Sequence, residues 1–470
     1  MRYVSTRGTA PALEFDDVLL AGLATDGGLY VPETWPALDW TALSAAAADG
    51  YAALTAALIR PFMAGSVAEP DLARLVTAAY REFRATPDKA GDIAPLREIE
   101  DNLYVLELFH GPTLAFKDYA LQVVGRLFEA VLAARGRHIT IIGATSGDTG
   151  SAAIEACRGR ENIDIFILHP KGRVSEVQRR QMTTVVDDNV HNIAVEGTFD
   201  DCQDLVKAMF ADADLRAELG LSAVNSINWA RIMAQTAYYV WAGLKLGAPR
   251  QEVSFAVPTG NFGNVYAGYV AKRMGLAVQQ LIVGTNRNDI LARFFESGTM
   301  EMRPVEASCS PSMDIQVSSN FERLLFELAA RDGDVVSELM TKFRESGRLT
   351  LGTAQIVALK SLFSAASLDD PRTLELIRSV HEETGYLLDP HSAVGVGSAR
   401  LKRRDRATPM VALATAHPAK FPEAVEKATG IRPALPPFLA DLFERPERLD
   451  TLPNDRDRIC DFIRARVRRR

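Results

Sequence analysis

The pattern of apolar and polar positions along the chain changes near residue 100. Before that point, long alanine-rich stretches predict helices, as in residues 40–59 and 69–83. A glycine-containing turn at residues 26–32 leads into a short extended piece. No alternation typical of a parallel sheet is visible in this part. We therefore expect residues 1–95 to form an α-rich N-terminal domain.

After that point, short apolar runs rich in β-branched residues alternate with helical patterns. The runs cover residues 139–142, 163–168, 192–195, 253–257, 281–283 and 410–414. Continuous apolar strands separated by helices are typical of a parallel sheet covered on both faces. Residues 384–397 are assigned to the same sheet pattern. We predict an α/β region over residues 96–431, followed over residues 432–470 by a Pro-rich extension and a basic C-terminal helix.

Composition narrows the class of partner. Hydrophobic residues make up 47% of the 470 residues, charged residues 24%, and the net charge is −7. This ordinary balance gives no general reason to expect a nucleic acid or an acidic membrane as partner. The chain contains no long apolar run and no apolar leader, and its cysteines are far apart in sequence. We expect a cytoplasmic protein without a metal site, in a monomer or a homodimer.

Lys117 is the strongest candidate for chemistry. It follows the apolar run Leu-Ala-Phe and precedes Asp118. Burial favours the neutral amine of a lysine, and a neutral amine is the nucleophile that forms a Schiff base with an aldehyde cofactor such as pyridoxal phosphate. A solvated surface charge is the ordinary alternative for any single lysine.

Two loops connect a predicted strand to a predicted helix. In residues 259–264, TGNFGN, the glycines allow a ligand to approach closely, and N–H groups at a helix N-terminus suit a phosphate. From this loop alone, an ordinary glycine-rich turn explains the sequence about as well. In residues 143–150, GATSGDTG, the hydroxyl and N–H groups suit a carboxylate or a phosphate, but helix capping is the simpler interpretation.

Further polar residues stand near predicted element ends. Residues 225–231, NSINWAR, combine amides, a hydroxyl and a guanidinium, which is typical of phosphate or carboxylate recognition. A surface arginine beside a helix cap is the alternative. Thr415 ends an apolar strand with a hydroxyl. We interpret His110, His391 and His417 as hydrogen-bonded structural histidines, because nothing gives them metal-ligand spacing.

The combination of these segments resembles the threonine synthase family. The motifs that carry the resemblance are HGPTLAFKD at residues 110–118, ATSGDTG at 144–150, PTGNFGN at 258–264 and ATAHPAKF at 414–421. The segments at residues 3–8 and 26–32 are similar to the longer branch of the family, found in bacteria and fungi. The resemblance covers nearly the whole chain in order and weakens after about residue 430.

This resemblance implies a pyridoxal-phosphate enzyme of fold type II, the tryptophan synthase β-like fold, with two parallel-sheet lobes covered by helices. It assigns the Schiff base to Lys117, the pyridine nitrogen to the hydroxyl of Thr415, and the cofactor phosphate to Gly260, Asn261, Phe262, Gly263 and Asn264. It assigns the substrate phosphate to Ser226, Asn228 and Arg231, and a carboxylate or phosphate end of the substrate to Ser146 and Thr149. Shorter relatives and related dehydratases carry asparagine at the position of Asp148, so the resemblance leaves the role of Asp148 open.

The implied reaction is γ-elimination of phosphate from O-phospho-L-homoserine followed by addition of water at Cβ, which gives L-threonine and phosphate. One alternative is a threonine/serine dehydratase or a cysteine synthase of the same fold. These enzymes need no site for a substrate phosphate, so Arg231 and the N-terminal segment argue against them. The other alternative is a catalytically inactive binding homologue, against which Lys117, Thr415 and the 259–264 loop argue.

Overall fold

The computed structural model describes residues 1–84 and 92–468. The strands in this part are β1 Arg2–Ser5, β2 Leu13–Glu14, β3 Tyr30–Pro32, β4 Leu96–Glu100, β5 Leu103–Glu107, β6 Ile139–Ala144, β7 Ile163–Pro170, β8 Val190–Glu196, β9 Leu221–Ser222, β10 Val253–Pro258, β11 Val278–Thr285, β12 Thr299–Glu301, β13 Arg348–Thr350, β14 Phe363–Ser367, β15 Met410–Ala414 and β16 Asp450–Pro453.

The α-helices of the same residues are α1 Phe15–Ala21, α2 Trp40–Ala48, α3 Tyr51–Met63, α4 Glu69–Ala79, α5 Lys117–Arg135, α6 Asp148–Cys157, α7 Glu176–Thr183, α8 Phe199–Ala211, α9 Ala213–Leu219, α10 Trp229–Lys245, α11 Gly263–Met274, α12 Ile290–Ser297, α13 Phe321–Leu328, α14 Gly333–Ser346, α15 Thr353–Leu362, α16 Asp370–Thr384, α17 Pro390–Lys402, α18 Pro422–Thr429 and α19 Arg456–Arg464. No helix among the described residues has the length and apolar character that crossing a membrane requires.

Two sheets dominate the architecture, as the family resemblance implies. The six-stranded sheet has the order β14-β11-β10-β15-β5-β4, in which the edge strand β4 is antiparallel to β5 and the other pairs are parallel. The five-stranded sheet has the order β16-β8-β7-β6-β9 and is parallel throughout. Strands β7, β10 and β15 are buried along their whole length, as expected for sheets covered on both faces. The predicted α/β class is confirmed.

The N-terminal region is mainly helical and also contains the small antiparallel sheet β2-β1-β3. It packs into the same hydrophobic core as the two larger sheets. The hydroxyl of Tyr3 donates to the carbonyl oxygen of Phe62 at 2.6 Å, and the ring of Tyr3 lies 6.0 Å from that of Trp229 in α10. The predicted boundary near residue 95 follows residues 85–91, which lie outside the described part, and all domain limits stay predictions.

Residues 384–397 do not belong to a sheet, and this prediction is wrong. Asp389 caps α17, since its carboxylate accepts hydrogen bonds from the N–H groups of His391 and Ser392 at 2.9 Å, and Pro390 occupies the first turn. Small residues let α17 approach the six-stranded sheet closely. A Cβ added to Gly395 would lie 3.1 Å from the side chain of Pro258. The apolar character of this segment reflects a helix that is buried from Pro390 to Ala399.

The C-terminal extension is built into the five-stranded sheet. Strand β16 pairs in parallel with β8, and α19 packs apolar side chains against this sheet. Part of the basic tail is also bound, because Arg468 Nε donates at 2.6 Å to the buried carboxylate of Asp164. Arg468 is therefore fixed to the five-stranded sheet and is not a solvated surface charge. Residues 469–470 lie outside the described residues.

Candidate active site

A cavity lies where the carboxyl ends of parallel strands from the two sheets face each other. Loops at such strand ends commonly bind ligands in α/β folds. The cavity brings together most of the residues that the sequence singles out, namely Lys117, Asp148, Thr149, Ser226, Arg231, Gly260, Asn261, Phe262, Gly263, Asn264 and Thr415. Ser146 and Asn228 are not among its lining residues. Gln235, Ser312 and His391 line it as well.

Lys117 is the first residue of α5 and is buried. Its Nζ donates to Oδ2 of Asp148 at 3.3 Å. Burial lowers the pKa of Lys117, and the nearby charges of Lys420 and Arg231 lower it further, although the Asp148 carboxylate acts in the opposite direction. This environment favours the neutral amine that a nucleophilic lysine requires.

The carboxylate of Asp148 accepts hydrogen bonds from four side chains. Oδ2 also accepts from Ser312 Oγ at 2.9 Å, while Oδ1 accepts from Gln178 Nε2 at 2.9 Å and from Lys420 Nζ at 2.8 Å. Burial alone would raise the pKa of Asp148, but the ammonium groups of Lys117 and Lys420 hold it well below its usual range. The carboxylate is therefore ionised in this setting.

The loop from Gly260 into α11 has the features of a phosphate site. Phe262 adopts a left-handed conformation, with φ of 62°, and a Cβ added to Gly260 would lie 2.8 Å from the carbonyl oxygen of Ser312. In the described part of the chain, the N–H groups of Gly263, Asn264 and Val265 have no acceptor. Free N–H groups at the positive end of a helix dipole fit the phosphate of a cofactor.

A second site for an anion lies on α10. Arg231 is 3% exposed; its Nη1 donates to the carbonyl of Val224 at 3.3 Å, and its Nε has no partner among the described residues. Burial lowers the pKa of Arg231 to about 10, so the guanidinium remains protonated at neutral pH. Gln235, one helical turn later, also has a buried side-chain oxygen without a partner. A buried cation without a carboxylate is unfavourable, and a bound anion would offset that cost.

Asn228 serves as the N-cap of α10 and does not reach the cavity. Its Oδ1 accepts from the N–H of Ala230 at 3.0 Å, and its Nδ2 donates to the carbonyl of Leu19 at 2.9 Å. Because both ends of the amide are occupied, the assignment of Asn228 to the substrate phosphate is not supported by this geometry. The alternative of a helix cap, open in the sequence, describes Asn228 correctly.

Ser146 is half-buried beside the cavity. The neighbouring Thr145 orders this loop, because its hydroxyl oxygen accepts from the N–H groups of Gly147 at 3.0 Å and Gly150 at 2.8 Å. Thr149 lines the cavity from the first turn of α6. Of the two hydroxyl residues that the resemblance assigns to the substrate in this loop, Thr149 lines the cavity and Ser146 does not.

Thr415 follows β15 and also lines the cavity. Its N–H donates to Ser392 Oγ at 3.1 Å, and its carbonyl accepts from the N–H of Phe116 at 2.9 Å. His391 has Nδ1 2.7 Å from Asp389, while its Nε2 accepts from the N–H of Ser312 at 3.3 Å. His391 is hydrogen-bonded, as interpreted from the sequence, but its place in the cavity wall was not predicted.

The residues that sequence reasoning missed carry weak local signals. Lys420 lies inside a recognised motif, yet nothing in its neighbours announces a buried ammonium group. Gln178, Ser312 and Gln235 are single polar residues outside the recognised motifs. Only Gln235 has a sequence signal, because it follows Arg231 by four positions, the spacing that places two residues on the same face of a helix.

Two parallel-sheet lobes, with a buried lysine and a free helix N-terminus facing the cavity between them, define a pyridoxal-phosphate-dependent enzyme of fold type II. Family models agree with this class. "Pyridoxal-phosphate dependent enzyme" matches residues 89–415, "Threonine synthase N terminus" matches residues 2–80, and "Threonine synthase, C-terminal" matches residues 392–463. The chain belongs to the threonine synthase family.

Individual relatives cover nearly the whole chain. The threonine synthase of Pseudomonas aeruginosa is 56% identical over 464 residues, which are 98% of each chain. The crystal structure of a PLP-bound threonine synthase from Brucella melitensis covers 100% of both chains at 53% identity, with a TM-score of 0.96. The yeast enzyme covers 99% of this chain and 98% of its own at 39% identity, with a TM-score of 0.91. The family, fold and cofactor predicted from the sequence are confirmed.

The position of Asn228 predicts that it caps α10 and does not bind the substrate phosphate. Replacing Asn228 by Ala should lower the free energy of unfolding by about 1 kcal/mol or more, because the helix loses its cap and the carbonyl of Leu19 loses a donor. Asn228→Ser, which keeps a cap oxygen, should lose less. Urea unfolding measures both variants.

Inorganic phosphate provides the matching probe of the anion site. Ser226→Ala should weaken phosphate binding measured by calorimetry, because Ser226 lines the cavity, whereas Asn228→Ala should leave it nearly unchanged. Loss of phosphate binding in a folded Asn228→Ala protein would show that Asn228 does contribute to the substrate site.

Proposed function

We propose that the protein converts O-phospho-L-homoserine and water into L-threonine and phosphate with the residues described above. The observation that carries the proposal is the presence of two separate anion sites in one cavity, the N-terminus of α11 and the unpaired guanidinium of Arg231. A cofactor phosphate requires one such site, and a phosphorylated substrate requires a second. A dehydratase or a cysteine synthase of the same fold has no need for the second site.

The residues around the α11 N-terminus fit pyridoxal phosphate. Gly260 and the N–H groups of Gly263 and Asn264 would hold its phosphate, the hydroxyl of Thr415 would meet its ring nitrogen, and Lys117 would bind its aldehyde. When bound, the cofactor withdraws electrons from the substrate's Cα and so acidifies the protons next to it. Asn261 and Phe262 shape the loop that presents the N–H groups.

Lys117 is proposed as the group that moves protons. Its buried position favours the neutral amine, so Nζ can accept a proton from Cα once the lysine is free. The resulting ammonium lies next to the Asp148 carboxylate, which accepts a hydrogen bond from Nζ at 3.3 Å. The same amine can then return a proton at a neighbouring carbon.

Arg231 is proposed to bind the phosphate that leaves the substrate. Its buried charge has no carboxylate partner among the described residues, so it can pair with the negative charge that grows on the leaving group. Ser226 and Thr149 line the same cavity and offer neutral hydroxyl donors. Ser146 stays a weaker candidate for the substrate's other end, because it lies beside the cavity.

Several predictions on the setting of the enzyme stay predictions. These are the cytoplasmic location, a monomer or a homodimer, and the absence of a nucleic-acid partner. The ordinary charge balance of the chain supports the last of them.

Lys117→Ala should abolish turnover and covalent attachment of the cofactor, because the cavity then lacks the amine that attacks the aldehyde. Borohydride reduction of the wild-type protein followed by peptide mass mapping should place the cofactor on Lys117. A second buried lysine, Lys420, lies 2.8 Å from the Asp148 carboxylate and serves as an internal comparison. Label on Lys420 in the wild-type protein would show that the assignment is wrong.

Arg231→Gln should reduce kcat/KM for O-phosphohomoserine by about 10- to 150-fold, since a hydrogen bond to a charged group contributes roughly 1.5–3 kcal/mol. The rates of threonine formation and phosphate release measure this loss. Arg231→Lys keeps the charge without the planar guanidinium, so its kcat/KM should lie between those of the wild type and Arg231→Gln. Cofactor absorbance should remain, because the cofactor phosphate is assigned to α11. Loss of the cofactor in either variant would show that Arg231 belongs to the cofactor site. Unchanged kinetics would show that it does not bind the substrate.

A further inference from the structure

Lys420 is a fully buried lysine next to the proposed catalytic lysine. It lies on the short 3-10 helix Pro418–Lys420, which follows β15, and its exposure is 0%. Its Nζ contacts two groups, Asp148 Oδ1 at 2.8 Å and the carbonyl oxygen of Thr113 at 2.8 Å. The first contact is with the carboxylate that Lys117 also touches, and the second is with the loop that leads to Lys117.

A purely structural tie does not account for this placement. The carbonyl of Thr113 already accepts a hydrogen bond from Gln181 Nε2 at 3.1 Å. Burying an ammonium group is costly unless a nearby anion compensates it, and a smaller neutral side chain would avoid that cost. The compensating anion is Asp148, so the charge of Lys420 is directed at the active site.

We infer that Lys420 is a positioning residue that acts on Lys117 through Asp148. It holds the carboxylate in place from the side opposite to Lys117 and supplies a positive charge that persists when Lys117 gives up its own. Asp148 can then remain ionised and oriented while Lys117 changes between a cofactor-bound amine and a free one. This inference rests on the proposed function only in requiring that Lys117 carries the cofactor.

The electrostatic consequence follows from the charges that face Lys117. These are Asp148 on α6, Lys420 on the 3-10 helix and Arg231 on α10, and His391 on α17 faces Asp148 in turn. Apart from burial, Lys420 and Arg231 lower the pKa of Lys117, whereas Asp148 raises it. Removing the charge of Lys420 leaves Asp148 to a single lysine, so the pKa of Lys117 should rise.

The test is Lys420→Gln, which keeps a donor for the Thr113 carbonyl and removes the charge. The acid limb of the pH profile of kcat, which reports the substrate complex in which Lys117 is free, should move upward by about one pH unit or more, because opposite and like charges at this range shift a pKa by that amount. A second readout is the rate at which the cofactor-depleted full-length protein takes up pyridoxal phosphate. Its pH dependence should move in the same direction, since uptake requires the neutral amine of Lys117.

Three comparisons separate a positioning role from loss of packing. Lys420→Arg retains the charge and should keep the acid limb near its wild-type position. Asp148→Asn should move the limb to lower pH, opposite to Lys420→Gln, and in its background Lys420→Gln should have a smaller effect. Lys272→Gln removes a lysine that donates to the Val278 carbonyl away from the cavity, at 2.6 Å, and should leave both profiles unchanged.

The outcomes of the two proposals can be told apart. A wild-type protein that labels on Lys117 and forms threonine, with both profiles unchanged in a folded Lys420→Gln variant, overturns the inference alone. If Lys420→Gln does not fold, the direction of the Asp148→Asn shift decides, and an unmoved or upward limb overturns the inference. Failure to form threonine, or label on another lysine in the wild-type protein, overturns the proposed function instead.

Discussion

The hydrogen bonds to the buried carboxylate of Asp148 are the interactions on which the active site depends. The first turn of α6 supplies the carboxylate, and its donors come from α5, α7, the 302–320 loop and the segment after β15. Because the group is buried, each donor offsets part of its desolvation, and loss of one would leave an uncompensated charge. The fold thereby fixes Lys117 relative to both sheets, although these elements are far apart in sequence.

The cavity contains two positively charged sites of different origin, and these give it its selectivity for ligands. The N-terminus of α11 presents partial positive charge from backbone dipoles, whereas Arg231 presents a full charge without a carboxylate among the described residues. The first can accept the phosphate of the cofactor and the second the phosphate of a substrate. A substrate without a phosphate would leave the Arg231 site unfilled, so the cavity favours the pairing of pyridoxal phosphate with a phosphorylated amino acid.

Local sequence patterns predicted those parts of the fold that local physics determines. The β-branched runs are strands in the structure, and the loop at residues 259–264 leads into the N-terminus of a helix, as predicted. Both features could be predicted because they depend on the residues of the segment itself and little on tertiary contacts. The prediction for the segment that forms α17 was wrong, because burial on all sides removes the polar face that distinguishes a helix from a buried strand. The contacts of Asn228 and Lys420 could not be predicted, because capping and ion pairing depend on partners that only the folded chain brings near, Leu19 for the first and Asp148 for the second.

The proposed function requires one cavity to hold two phosphates at two different sites. The most direct test is a crystal structure of the cofactor-loaded protein with an unreactive phosphonate analogue of O-phosphohomoserine. We expect the cofactor phosphate on the N–H groups that open α11 and the phosphonate within hydrogen-bond distance of Arg231. A cofactor phosphate bound to Arg231, or a phosphonate that contacts neither Arg231 nor Ser226, would contradict the proposed function.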